Sequence, residues 1–429
     1  MGARQVGKTW LMRNFAAKNF REVHEFNFDD APVLSSFFRD SKDPKDILPK
    51  LEIYSGRKID LENDAVIFDE IQDGGDALNS LKYFYEKCPQ LAVMAAGSLL
   101  GVKLRQRKGR NRSDGAMENP KSYPVGKVEL MDVEPMTYSE FLRECNESLW
   151  EYYMSVRGNE PLPEPFHKKM WDEYLVYLTI GGMPEAVGSY LSDGDPAKVK
   201  RILHDLVTLY EDDIVKYNAE IDASKILVVL RSIVPQLAKE NGNFIYGVLK
   251  DGARARGYED AIEWLVSARM VRRVNNLSEI KYPIAAYSIR NQFKLYLNDV
   301  GMLGQMAGVT GESIITDSDF DFKGRIAENY VLQQLAGRSG SATHYWSERT
   351  EREIDFVIQH GAEAIPVEVK AGKDRKSASF KTFVNTRSPK YAIRFSARNL
   401  KRDGGFVNIP LYLVERYREV INDGMSAGM

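Results

Sequence analysis

Gly2-Ala3-Arg4-Gln5-Val6-Gly7-Lys8-Thr9 fills the pattern G-x-x-x-x-G-K-[ST] without a mismatch. Such a run suits phosphate. Gly2 and Gly7 let the main chain curl so that successive N–H groups face phosphate oxygens. Lys8 supplies a point charge for the β and γ phosphates, and Thr9 offers a hydroxyl to Mg²⁺. Trp10-Leu11-Met12-Arg13-Asn14-Phe15 follows and reads as an apolar helix face. A helix N-terminus would then lie beneath the phosphates. A plain glycine turn can match the same pattern, so a partner elsewhere in the chain matters.

That partner is Ala65-Val66-Ile67-Phe68, a short apolar run that predicts a buried strand and ends in Asp69-Glu70. An acid at this strand end holds Mg²⁺ in phosphoryl-transfer sites, which makes Asp69 a metal candidate. Glu70 beside it can polarise the attacking water. Leu91-Ala92-Val93-Met94-Ala95-Ala96 predicts a further strand ending in Gly97-Ser98, which reads either as a turn or as part of the site. Another strand is expected over residues 23–28, and a crossover helix around Leu78, Leu81 and Phe84. Strands alternating with helices imply an α/β fold with a parallel sheet. The loop begins at residue 2. The strand that leads into such a loop therefore has no place in this chain, and the reading expects a sheet without it, from a truncated gene model or a fragment.

A second set of chemical residues lies near the C-terminus. Residues 324–330 open a helix that carries Glu328. Glu353-Ile354-Asp355-Phe356-Val357-Ile358 and Ala364-Ile365-Pro366-Val367-Glu368-Val369-Lys370 read as two strands. Alternate strand residues share a face, so Glu368 pairs with Lys370 and Glu353 with Asp355. Carboxylates bind Mg²⁺ or Mn²⁺, and a lysine beside such a metal can activate water for phosphodiester cleavage. Glu328, Asp355, Glu368 and Lys370 are therefore a candidate second metal site. Surface ion pairs are the alternative. The spacing is similar to the D…E-x-K pattern of the PD-(D/E)-x-K nuclease superfamily, with Glu328 as the helix acid that some members add.

Between these ends, Lys103, Arg105, Arg107, Lys108, Arg110 and Arg112 crowd one stretch. It reads as a solvated loop, a nucleic-acid contact or a source of arginine for a neighbouring subunit. Tyr123-Pro124-Val125-Gly126 precedes a short strand expected around Val128 and Leu130, and Thr137-Tyr138-Ser139-Glu140 reads as a capping box. The pattern then stays helical to about residue 220, broken at Gly181-Gly182-Met183-Pro184. Helices over 226–237, 246–250 and 255–270, then a ribbon through Val271, Val274 and Ile284, are the parts of a winged helix. Lys250, Arg254 and Arg256 would begin its recognition helix.

Composition adds bounds. Among 429 residues, Lys+Arg at 59 nearly balances Asp+Glu at 61, so net charge argues for neither a nucleic-acid nor a membrane partner. Two cysteines, Cys88 and Cys145, fit a reducing cytoplasm and allow no disulfide framework beyond one bridge. No apolar run reaches the roughly 20 residues of a membrane span.

Taken in series, these motifs resemble a bacterial and archaeal family of AAA-type ATPases with a C-terminal domain of unknown function. The carriers are residues 2–9, Phe68-Asp69-Glu70-Ile71-Gln72, Gly97-Ser98, residues 123–126, Gly181-Gly182-Met183-Pro184, Tyr296-Leu297-Asn298-Asp299-Val300-Gly301 and Glu368-Val369-Lys370-Ala371-Gly372. The resemblance implies a P-loop ATPase domain over 1–133, a helical lid over 134–220, a winged helix over 221–300 and a nuclease-like α/β domain over 301–429. It implies ATP and Mg²⁺ as ligands and, by analogy with AAA-type sites, Ser98 as the sensor of the γ-phosphate. The expected activity is ATP hydrolysis coupled to DNA or protein binding. A nucleotide-gated switch with little turnover and an ATP-linked nuclease are the rival readings. The sequence leaves open whether the chain acts alone or as a ring.

Overall fold

The computed structural model describes residues 1–102, 126–158, 160–217, 222–239, 242–318, 320–339, 343–348, 352–372 and 378–422. The basic stretch 103–112 and Tyr123-Pro124-Val125 lie outside them. The described chain divides into two compact units, residues 1–133 with 267–269, and residues 134–266 with 270–429.

The first unit is a parallel sheet in the order β1-β2-β3, with β1 Val23–Asn27, β2 Ala65–Asp69 and β3 Ala92–Ala95. Period-2 alternation sorts its two faces. Phe26, Val66 and Phe68 join Phe28, Phe38, Leu51 and Phe84 in one core cluster. Ala65 and Ile67 turn the other way and meet Met12, Ala16 and Phe20 of α1 (Lys8–Asn19) and its end. Burying a ring such as Phe68 contributes about 2–3 kcal/mol. Helix α2 is Leu34–Phe37. Helix α3 (Pro44–Ser55) starts where Asp43 accepts the Lys45 N–H and Pro44 presets the first turn, and it ends on Gly56 at φ 69°. Helix α4 (Ala77–Lys87) is the expected crossover.

Two local expectations need correction here. Trp10, Leu11 and Phe15 are exposed, and α1 instead buries Lys8 and Ala16. Apolar residues run around this helix, so its sequence does not choose a face. Residues 126–133 form no strand, and Leu130 and Met131 are exposed.

The second unit pairs a helical part with a mixed eight-stranded sheet in the order β10-β11-β9-β8-β7-β6-β4-β5. The strands are β4 Val271–Leu277, β5 Ser288–Leu297, β6 His344–Glu348, β7 Arg352–His360, β8 Glu363–Lys370, β9 Ala392–Ser396, β10 Lys401–Asp403 and β11 Phe406–Pro410. The capping box at Thr137 and Glu140 is present and opens the helix Tyr138–Cys145. Tyr138, Tyr153, Tyr177, Tyr174 and Tyr330 meet edge to face in the core of this unit.

The expected helix over 246–250 is a single 3₁₀ turn, Tyr246–Val248, with Gly247 at its centre. Ile284 sits in another 3₁₀ turn after Pro283, so β5 starts only at Ser288. The β4–β5 ribbon does not stand alone. β4 pairs in parallel with β6, Asn275 opposite His344, so one sheet runs from the ribbon to the C-terminal strands.

Candidate functional site

The N-terminal loop turns through left-handed backbone at Gln5 (φ 64°) and Gly7 (φ 86°). Left-handed residues placed this way turn neighbouring amides toward a common point, which is how main chain cradles an anion. Gly7 caps α1, so the helix N-terminus faces the same space. The Lys8 side chain is buried, and its ammonium donates to the carbonyls of Gly2 at 3.2 Å and Ala3 at 2.6 Å. Gly2 has a packing reason as well. A Cβ there would lie 2.3 Å from the Val133 carbonyl oxygen, and the Val133 N–H donates to the Met1 carbonyl at 2.6 Å.

Thr9 joins this loop to the end of β2, its hydroxyl donating to Asp69 Oδ2 at 2.8 Å. A hydroxyl and a carboxylate are hard oxygen donors of the kind Mg²⁺ prefers. With the loop's amides and Lys8 they fit a magnesium nucleotide. Burial, and then the charge of Glu70, push the Asp69 carboxyl above its ordinary range against the pull of Thr9.

Glu70 takes the left-handed conformation (φ 48°, ψ 42°), unusual for a residue with a side chain. Both carboxylate oxygens are engaged. Oε2 accepts from Gln72 Nε2 at 2.5 Å and from the Ser98 N–H at 3.1 Å, while Oε1 accepts from Ser98 Oγ at 2.8 Å. Burial raises the Glu70 carboxyl, but these hydrogen bonds and the Lys8 charge outweigh it and hold the group below its ordinary value. Ser98 thus meets Glu70 just beyond the paired ends of β2 and β3. Sequence reasoning gave Gln72 no role at the site. The signal was a polar side chain just beyond the acid pair, but a 3₁₀ turn (Ile71–Asp73) is needed to fold it back.

Of the C-terminal candidates, Glu328 lies on the helix Lys323–Ser339, Asp355 on β7, and Glu368 and Lys370 on β8. Each glutamate carries a cation. Arg325 donates to Glu328 at 2.8 Å, and Tyr296 adds its hydroxyl at 2.9 Å. Lys370 lies 3.1 Å from Glu368 on one oxygen and Arg394 3.2 Å on the other. Glu353 pairs with the buried Lys294. Asp355 accepts the Val369 N–H at 2.7 Å. Among the described residues, no group of three or more His, Cys, Asp or Glu is arranged to hold a metal ion.

Burial, then the charge of Glu328, push the half-buried Asp355 carboxyl up to about 7, with Lys370 opposing. Its folded pKa exceeds its unfolded one, so the stability it confers is full below about pH 4 and lost as pH rises through about 7. Asp355→Asn is expected to stabilise the chain relative to wild type above pH 7 by up to about 3 kcal/mol, partial exposure screening some of the effect. Urea titrations at pH 5 and pH 8 that give the same difference between the two proteins would contradict this.

A buried polar hub ties the second unit together. Asp299 accepts the N–H groups of Gly182 at 2.6 Å and Met302 at 3.0 Å, and the Gln333 amide at 3.1 Å. The two glycine-bearing motifs, 181–184 and 296–301, therefore meet.

Residues 1–142 match the AAA domain family, residues 172–313 a domain of unknown function (DUF8612), and residues 323–414 another (DUF4143). The first match takes in the loop and the strand ends described above. No curated protein matches the chain. Among solved structures it is similar to a Walker-type ATPase of Pyrococcus abyssi at 16% identity and TM-score 0.41, over 71% of this chain and 89% of that one. It is also similar to a Vibrio cholerae protein at 11% identity and TM-score 0.18, over 95% of this chain and 98% of that one. Among the described residues no helix is long and apolar enough to cross a membrane.

Proposed function

We propose that the chain is a Mg²⁺-dependent ATPase. The observation that carries this reading is the 2.8 Å hydrogen bond from Thr9 to Asp69, which joins two motifs 60 residues apart in one phosphate-and-metal site. Lys8 and the loop amides bind the phosphates, and Thr9 with Asp69 holds the metal. Mg²⁺, when bound, would offset the charge that builds on the phosphate oxygens. Glu70 takes a proton from water as the water oxygen bonds to the γ-phosphorus, the bond from that phosphorus to its bridging oxygen breaks, and ADP leaves. Ser98 is the sensor of the γ-phosphate. Glu70→Gln keeps the shape and removes the base, so phosphate release is expected to fall about 100-fold while nucleotide binding persists. Equal rates in the two proteins would remove Glu70 from this role.

Hydrolysis would be coupled to DNA or a protein partner. Lys250, Arg254 and Arg256 support the DNA version, because all three are exposed around the start of the helix Ala255–Ser267. One observation also favours a nucleotide-gated switch with little turnover, namely that both oxygens of Glu70 are already engaged. DNA retention that depends on ATP without phosphate release would select that version. For a nuclease-like C-terminal domain, the order helix, β6, β7, β8, helix, β9 is favourable. The pairing of Glu328 and Glu368 with cations weighs against cleavage there.

A further inference from the structure

We propose that Gln72 is a positioning residue for Glu70, and that Gln72 and Ser98 form a latch in which Oε2 is the anchor and Oε1 the proton acceptor. This rests on the ATPase reading above.

The two carboxylate oxygens are held by donors of different kinds. Oε2 is gripped by the Gln72 amide at 2.5 Å and the Ser98 backbone N–H at 3.1 Å. Oε1 is held by the Ser98 hydroxyl at 2.8 Å. A hydroxyl turns about a single bond, so Ser98 can release Oε1 without moving the chain. A backbone N–H cannot do so. Nor can the Gln72 amide, because Gln72 is only 6% exposed and its far end fills the space beside Gly97. A Cβ built on Gly97 would come 2.0 Å from Gln72 Oε1. The turn carrying Gln72 is itself pinned to the end of β3, where the Ile71 N–H donates to the Ala96 carbonyl at 3.0 Å.

The consequence is an order of events. With Ser98 on Oε1, one of that oxygen's two acceptor sites is taken and its basicity is lowered, so it is a poorer acceptor of a proton from water. When Ser98 turns away, Oε1 opens while Gln72 still aims the carboxylate. A residue that senses the γ-phosphate thus also frees the base, which favours proton transfer in a loaded site. Gln72 does not need to touch the nucleotide for this. It fixes where the released oxygen points, and misplacing a reacting group by about 1 Å costs on the order of 100-fold in rate.

The test uses the full chain with Mg·ATP, reading kcat and KM from phosphate release and affinity from a fluorescent ATP analogue. Wild type and Glu70→Gln come first. Wild-type turnover lost in Glu70→Gln keeps the ATPase reading and leaves the latch to be judged alone, whereas absent or Glu70-independent turnover overturns both. Gln72→Ala is expected to lower kcat about 30-fold with KM and affinity within about twofold. Gly97→Ala, which pushes the amide aside without deleting it, is expected to do the same. Gln72→Met, similar in length but with no N–H, serves if Gln72→Ala does not fold. In the double variant Glu70→Gln/Gln72→Ala the rate should equal that of Glu70→Gln alone, because Gln72 acts through Glu70. Wild-type kcat in Gln72→Ala and Gly97→Ala, or a double variant slowed by the product of the single effects, overturns the latch.

Discussion

Gly181→Ala is expected to destabilise the second unit by more than about 4 kcal/mol, enough to unfold a domain of ordinary stability. Gly181 sits at φ 72°, ψ −167°, a region open in practice to glycine alone. The added Cβ would lie 2.2 Å from Asp299 Oδ1 and 2.8 Å from the Gly301 nitrogen. The backbone atom cannot yield, and the carboxylate can yield only by leaving Gly182, Met302 and Gln333. Burial already holds the Asp299 carboxyl above its ordinary value, and losing its donors removes what makes that burial tolerable. Gly188→Ala is the control. Its Cβ would meet nothing within 4 Å inside the helix Pro184–Asp193, so it should stabilise by up to about 1 kcal/mol. Thermal melts of the three proteins decide. Coincident curves for Gly181→Ala and wild type would contradict the hub.

Lys8→Ala is expected to weaken Mg·ATP binding about 1,000-fold, or about 4 kcal/mol, through loss of a buried cation. The ammonium is already dehydrated and held by the carbonyls of Gly2 and Ala3. Moving from neutral carbonyls to anionic phosphate oxygens replaces ordinary hydrogen bonds with charge-assisted ones, roughly twice as strong. Lys8→Arg should not rescue. The wider guanidinium does not fit where two carbonyls close on one nitrogen. Fluorescence titration with an ATP analogue reads both variants. Wild-type affinity in Lys8→Ala would place the phosphates elsewhere.

Much of this site was legible because its signals are local. The glycine and lysine spacing of residues 2–9 predicts the turn that Gln5 and Gly7 make, and the apolar run before Asp69 predicts β2. Ser98 was singled out for its place after an apolar strand, and its contact is Glu70. The parts that escaped depend on pieces far apart in the chain. The pairing of β4 with β6 joins residues about 70 apart, and no local period encodes it. Lys294 and Arg394 approach Glu353 and Glu368 from separate elements, so strand alternation alone exposed these acids and hid their counter-charges, whereas Arg325 lies one turn before Glu328 on the same helix. Gln72 escaped for the opposite reason. It is near the site in sequence, but only a 3₁₀ turn brings its amide onto Glu70.

Calorimetric titration of the full chain with Mg·ATP probes the binding site itself. Expected is a saturable one-to-one heat that vanishes in Lys8→Ala at the same concentrations. A wild-type titration with no binding heat over a range of temperatures would mean that the loop, Thr9 and Asp69 do not together hold a nucleotide.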